Sequence, residues 1–388
     1  MSPTLEESPI TTAAVADGFP PTLIAVLLAA TSVIIGVIWD ISWHRSIGRD
    51  TFWTPAHLAI YLGGVLAGVS CGVLVLRTTF AGSAAERDRS VHFWGFRGPL
   101  GAWVCIWGAI AMITSAPFDN WWHNAYGLDV KVLSPPHVLL ALGFTGIQVG
   151  ALLLLAARQH AAGAAAPHAR TYRVLFAYAA GLLIANAAII GFEYIGFPNA
   201  AHNALYYKIC AGAFPLLLAA TARASSLRWP ATTAAAAYMA VNLVMLWVLP
   251  LFPATPRLAP IYNAVEHFVP PPFPILLVVP ALVVDLVVQR GPESDWGRAA
   301  LVGIGFVLVL LAVQWNVSRL LISPRAENPL FGVQRWSYNN QLGPWRYTFW
   351  RVGPDPLTPG AVVTAVAIAV ASSRIGLWWG AWMARVRR

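Results

Sequence analysis

Charge is what this sequence has least of. Only 11% of its 388 residues are Asp, Glu, Lys or Arg, against roughly 25% in a soluble domain. A globular protein bathed in water on all sides is therefore excluded. Acidic residues are scarcer than basic ones, 16 against 25, so each Asp or Glu inside an apolar run stands out. Cysteine and methionine are also sparse, at three and five. Cys71, Cys105 and Cys210 lie within apolar segments and lack CxxC spacing, which argues against a thiolate zinc site and for core packing. The same scarcity disfavours a thiolate or thioether carrier of cuprous ion. Met1 to Gly18 lacks the basic region of a cleavable signal, so the first apolar segment is expected to be retained.

Apolar residues are abundant, at 58%. Several runs reach the roughly 20 apolar residues needed to cross a hydrocarbon core. Charge, proline and aromatic residues bound helices expected at Pro21–Trp43, Pro55–Arg77, Gly98–Pro117, Pro136–Ala157 and Tyr172–Phe192. Five more are expected at Ala204–Ala222, Trp229–Leu251, Pro272–Val288, Ala299–Ile322 and Pro359–Trp382. The expected fold is all-α, a polytopic integral membrane protein of about ten transmembrane helices with an internal two-helix repeat. Residues 1–322 would form a nine-helix membrane bundle containing two clear and two eroded repeats. Residues 323–358 would form an aromatic-rich extracytoplasmic loop, and 359–388 the last helix with a basic cytoplasmic tail.

The net charge of +9 forms no basic stripe and accompanies no nucleic-acid motif, so the expected partner is the lipid bilayer and not nucleic acid. The arginines instead gather in alternate loops. Arg77, Arg87, Arg89 and Arg97 occupy one; Arg158, Arg170 and Arg173, then Arg223 and Arg228, then Arg290 and Arg298 occupy the next. Because basic loops stay cytoplasmic, both termini are expected there, in a bacterial-type inner (plasma) membrane. The final long loop holds Trp336, Tyr338, Trp345, Tyr347, Phe349 and Trp350, the composition of an interface-lying segment. Arg374, late in the last span, is expected to snorkel to the cytoplasmic surface.

A motif occurs twice. Asp40, Trp43, His44, Gly48, Asp50, Pro55 and His57 recur in order as Asp119, Trp122, His123, Gly127, Asp129, Pro135 or Pro136, and His137. The first five keep their spacing, as expected of a duplicated two-helix unit. Asp40 and His44, like Asp119 and His123, stand four apart on one helix face. A short connector returns His57 or His137 to similar depth at the start of the next helix. Two imidazoles and a carboxylate then converge in each unit, a set suited to copper, zinc or non-haem iron with positions left open. Asp–His hydrogen bonding alone would satisfy either unit. The doubling, the third histidine in each and the scarcity of carboxylates elsewhere favour metal. Trp43 and Trp122 are expected to pack at the interface, and Asp50 and Asp129 to support the ligands or cap turns.

Weaker echoes place Glu193 before His202, and Asn263 before Glu266 and His267. These connectors lack the Trp-His pair; Glu193, His202, Glu266 and His267 are candidate extra ligands in eroded repeats. His92, His160 and His168 are expected to be ordinary exposed groups. Asp285 is a lone carboxylate within an apolar run, expected to meet Arg or backbone as readily as metal.

The stretch Asp40-Ile-Ser-Trp-His-Arg-Ser-Ile-Gly-Arg-Asp-Thr-Phe-Trp-Thr-Pro-Ala-His57 resembles the C subunit of the copper membrane monooxygenases, which oxidise methane or ammonia. That family carries Asp, then Trp-His, Arg-Asp and Thr-Pro-x-His, with metal-binding Asp and His at this spacing. The resemblance implies that Asp40, His44 and His57 bind copper. Through the repeat it extends to Asp119, His123 and His137, although Arg49 and Thr54 have no identical partners in the second copy. The family's downstream Asn/His/His cluster is matched only in its first half, by Asn263 and His267.

The expected function is a membrane metalloprotein holding one or two ions, copper before zinc or non-haem iron, on the periplasmic side, with monooxygenase-like oxidoreductase chemistry. The alternative is a metal transporter or a metal-handling or assembly protein without catalysis. Bis-His haem ligation ranks lower, because each His44-type position has an adjacent Asp. Other membrane subunits, or a homo-oligomer, are expected partners.

Overall fold

The computed structural model describes residues 19–48, 51–127, 134–161, 168–257, 265–326, 328, 330–331 and 355–387. Arg49, Asp50, Asp129, Lys131, Asn263 and the aromatic stretch from Trp336 to Trp350 lie outside the described residues. The chain runs through α1 (Pro21–Ser46), α2 (Pro55–Phe80), α3 (Ala84–Asp88), β1 (Val91–Phe93), β2 (Phe96–Gly98), α4 (Leu100–Tyr126), α5 (Pro135–Ala161) and α6 (Ala169–Ile190). It continues through α7 (Phe192–Ile195), α8 (Ala204–Ala224), α9 (Pro230–Val248), α10 (Val278–Arg290), α11 (Asp295–Leu321) and α12 (Pro359–Met383). Among the described residues, nine helices are long and apolar enough to cross a membrane, so the protein is an all-α, multi-pass membrane protein. Proline opens α1, α2, α9 and α12 within the first two positions, where its missing N–H loses no intrahelical bond.

Two expected boundaries are corrected. The third helix does not stop at Pro117 but runs through it to Tyr126. One proline removes a single i→i−4 bond, and neighbouring helices in a membrane bundle hold the rest. The eighth expected span, Pro272–Val288, is helical only over the 13 residues Val278–Arg290, about 20 Å. Pro270, Pro271, Pro272 and Pro274 lack N–H donors and keep the preceding backbone extended.

Extended backbone inside a membrane bundle needs polar partners, and side chains supply them. Tyr238 Oη donates to the Pro274 carbonyl at 2.9 Å and Gln314 Nε2 to that of Ile275 at 2.6 Å. Arg45 Nη1 donates to the Pro270 carbonyl, and Ser46 Oγ accepts the Val269 N–H at 2.7 Å. Asp285, fully buried on α10, accepts from the N–H groups of Ala231 and Thr232 at 3.0 and 2.8 Å and from Thr232 Oγ1 at 2.8 Å. It thereby caps α9, whose own preceding residue, Trp229, offers no acceptor. The partner of this carboxylate is backbone at a helix start. Arg374 lies 5.6 Å over the ring of Trp296 at the start of α11.

The duplicated unit is visible in packing as well as in sequence. Asp119 and His123 follow Asp40 and His44 by 79 residues, and His137 follows His57 by 80. At the same offsets, Gly63 of α2 lies against the backbone of Ala29 and the side chain of Val33 in α1, and Gly143 of α5 against Gly108 and Met112 in α4. A Cβ on either glycine would meet a neighbouring carbonyl oxygen at 2.7 or 2.9 Å, so both pairs cross where only glycine fits. The later helices pair differently. Gly181 of α6 abuts Ala234 and Tyr238 of α9, while α8 lies along Gly376 and Gly380 of α12.

Candidate metal centre

Because successive spans alternate in direction, the connectors after α1, α4, α6 and α9 open on one end of the bundle. In the first unit Asp40 and His44 occupy the last turns of α1, and His57 is the third residue of α2. Asp40 Oδ1 lies 3.2 Å from His57 Nε2, and Oδ2 lies 3.8 Å from His44 Nε2. In the second unit Asp119 Oδ1 lies 3.6 Å from His123 Nε2 and 3.4 Å from His137 Nε2. The structure therefore brings all six residues together as two like triads. Gly48 and Gly127, which follow the two helix ends, share a positive φ of 105° and 90°, which glycine adopts without strain.

Local hydrogen bonds set the entry of the second histidine. Thr54 Oγ1 accepts the Thr51 N–H and donates to the Thr51 carbonyl, both at 2.8 Å, which closes the turn before Pro55. Ser134 occupies the same place before α5. It is buried, and its hydroxyl has no hydrogen-bond partner among the described residues. Trp43 packs on Phe268 at 5.8 Å and Trp122 on Tyr126 at 4.5 Å, the packing role expected of both.

The donor set suits a divalent ion. Two donors each about 2.1 Å from a shared ion, at a tetrahedral angle, stand roughly 3.4 Å apart; the carboxylate–imidazole separations here are 3.2–3.8 Å. Asp40 Oδ1, Asp119 Oδ1 and His123 Nε2 are buried and make no directed hydrogen bond, although each faces a partner of opposite polarity. Among the described residues, however, no group of three or more His, Cys, Asp or Glu side chains forms a complete metal-holding geometry. Only the pairwise carboxylate–imidazole spacing is that of ligands.

The weaker candidates are not gathered in this way. Glu193 is exposed on α7, while His202 is buried with its ring 4.3 Å from that of Trp315. Burial and then Arg319 hold the His202 imidazole below its ordinary pKa. The backbone carbonyl of exposed Glu266 accepts the Ala254 N–H at 2.9 Å, and half-buried His267 pairs with Pro253 in a strand-like bridge. Of the other histidines, His92 and His168 are exposed and His160 is half-buried at the end of α5.

Three residues after His44 were not anticipated as part of the site. Arg45 and Ser46 hold the extended segment at Pro270 and Val269, and the Ile47 carbonyl accepts the Arg257 N–H at 3.0 Å. Arg45 also lies 5.7 Å over the ring of Phe197. Their counterparts Asn124, Ala125 and Tyr126 are exposed. Only the position of Arg45, a cation beside the motif in an apolar chain, hinted at this role. Compared with protein-family models, curated proteins and solved structures, the chain has no match.

Proposed function

We propose that this protein is a membrane metalloprotein that binds copper at Asp40, His44 and His57 and at Asp119, His123 and His137, with monooxygenase-like oxidoreductase chemistry. The observation that carries the reading is the doubled triad, in which two separate helix pairs present the same three side chains at ligand-like spacing. The resemblance of Asp40–His57 to the copper membrane monooxygenases favours copper over zinc or non-haem iron. When bound, such an ion supplies Lewis acidity and one-electron redox chemistry. The chain's own contribution is orientation: the α-helical i, i+4 pair and the proline-led start of the next helix present Nε2 atoms to one carboxylate from two directions. Glu193, His202, Glu266 and His267 enter as further ligands only if their connectors rearrange.

The basic residues at the opposite end of the bundle support cytoplasmic termini and a periplasmic site in a bacterial plasma membrane. Further membrane subunits or a second copy would complete a redox enzyme. Transport or handling of metal without catalysis is the second reading. The hydrogen bonds already made by Asp285 and by the carbonyls of Pro270, Pro274 and Ile275 weigh against a transit path through the bundle. The test is elemental analysis of detergent-purified protein beside a variant carrying His44→Ala and His123→Ala. Copper that disappears from the variant, with nitrogen coupling in the paramagnetic resonance spectrum of the parent, is the expected result. Unchanged metal content would overturn it.

A further inference from the structure

The end of the bundle opposite the triads carries a small β-hairpin that none of the preceding function uses. β1 and β2 pair antiparallel with Phe93 opposite Phe96, joined by Trp94 and Gly95. Both turn residues have positive φ, 48° and 81°, as a tight hairpin turn requires. A bulky tryptophan is a poor occupant of that conformation, where Asn or Gly is usual. A residue held against its backbone preference marks a position where the side chain has a task.

The hairpin is clamped in place. Thr79 Oγ1 accepts the Arg97 N–H at 2.8 Å and donates to the Arg97 carbonyl at 3.1 Å. Trp103 Nε1 donates to the Val91 carbonyl at 3.3 Å. Its tip folds back along α4. Phe93 stacks on Trp94 at 4.9 Å and meets Trp107 edge-on at 5.8 Å, with Trp94 6.0 Å from Trp107. Trp107 lies seven residues beyond Leu100, the first residue of α4, about 10 Å along the helix axis. It heads the exposed apolar face that continues through Ile110 and Ile113, as Phe80 heads that of α2 through Leu76 and Val73. Trp94 and Phe80 remain 78% and 74% exposed.

The geometry points to the hairpin as an interfacial anchor that inserts Trp94 into the adjoining bilayer leaflet and presents Arg77 and Arg89 to anionic phospholipid headgroups. The aromatic tip is continuous with the exposed apolar faces of α2 and α4, through Phe80 against Phe96 at 6.2 Å and Trp107 against Phe93. Arg77, in the last turn of α2, and Arg89, two residues before β1, are exposed. Of the nearby acids, Glu86 is engaged by the Ser83 N–H and hydroxyl at 2.8 and 3.0 Å, which hold its carboxyl below the usual range. Asp88 is the other; with Arg87 and Arg97 counted, four arginines stand against two acids over residues 77–97, a positive excess.

The experiment uses the full chain in vesicles of phosphatidylcholine and phosphatidylglycerol. A spin label at Trp94→Cys is read against oxygen and a water-soluble nickel chelate; the three native cysteines are fully buried and stay unlabelled. Greater collision with oxygen than with nickel is expected, and the reverse would overturn the insertion. Low collision with both, accompanied by dipolar broadening, would show a second copy covering the tip and would also overturn it. A label at Phe80→Cys gives the same reading should the turn variant distort the hairpin. The double variant R77Q/R89Q is expected to retain about fivefold less phosphatidylglycerol per arginine removed. Equal retention would overturn the headgroup assignment.

Discussion

The two triads are alike within themselves and unlike in what surrounds them. Both put Asp and His one turn apart, bring the second His in at the start of the next helix, and rest on a glycine crossing at Gly63 or Gly143. Yet the first is clasped by the proline-rich segment through Arg45, Ser46 and Ile47, while the second ends in exposed Asn124, Ala125 and Tyr126. His44 keeps a 49% exposed side chain, whereas His123 is 21% exposed. The two copies thus share a donor geometry and differ in the contacts around it. The residues after His44 are tied to the proline-rich segment, whereas those after His123 are exposed.

The largest expected effect tests whether both units bind. Asp40→Ala and Asp119→Ala should each remove one unit's metal, and the pair should remove essentially all of it, as measured by elemental analysis of purified protein. A single-site stoichiometry insensitive to Asp119→Ala would break the equivalence. Next come the crossing points. Gly63→Val and Gly143→Val should each destabilise the protein in detergent by about 3 kcal/mol, because a side chain must displace backbone across the interface. Similar midpoint shifts in denaturant titrations are the expected outcome, since the packing repeats even where the surroundings do not.

The clasp should show the asymmetry. Arg45→Met is expected to cost about 2 kcal/mol, leaving the Pro270 carbonyl without this donor inside the bundle. Asn124→Ala at the matching position should fall within about 0.5 kcal/mol of the parent. Equal effects would mean that the clasp contributes nothing. The smallest difference concerns the turns. Thr54→Ala loses two hydrogen bonds and should cost about 1 kcal/mol, whereas Ser134→Ala, lacking a recorded partner among the described residues, should be near neutral in the same titration.

Much of the candidate site was legible before any coordinates, since its parts are local. A four-residue spacing on a helix fixes which side chains share a face, and proline marks where the next helix begins. The matching offsets of Gly63 and Gly143 were also readable, had the repeat been extended beyond its polar residues. Pro117 misled, because proline is a stop signal in sequence but a tolerated defect in a packed membrane helix. The hairpin escaped notice because Trp-Gly is not a usual turn pair.

From the sequence alone follow the membrane class, the alternation of spans and the doubled Asp/His/His pattern, all of which depend on hydropathy over one segment or on spacing within one turn. The tertiary structure alone decided that Asp285 caps α9 from another helix. It also decided that the proline-rich segment stays extended beside Tyr238 and Gln314, and that Arg45 ties it to only one of two similar units. These outcomes rest on contacts between residues far apart in the chain. Buried backbone groups take whichever donor or acceptor the folded bundle brings within reach, and no local pattern specifies which one that will be.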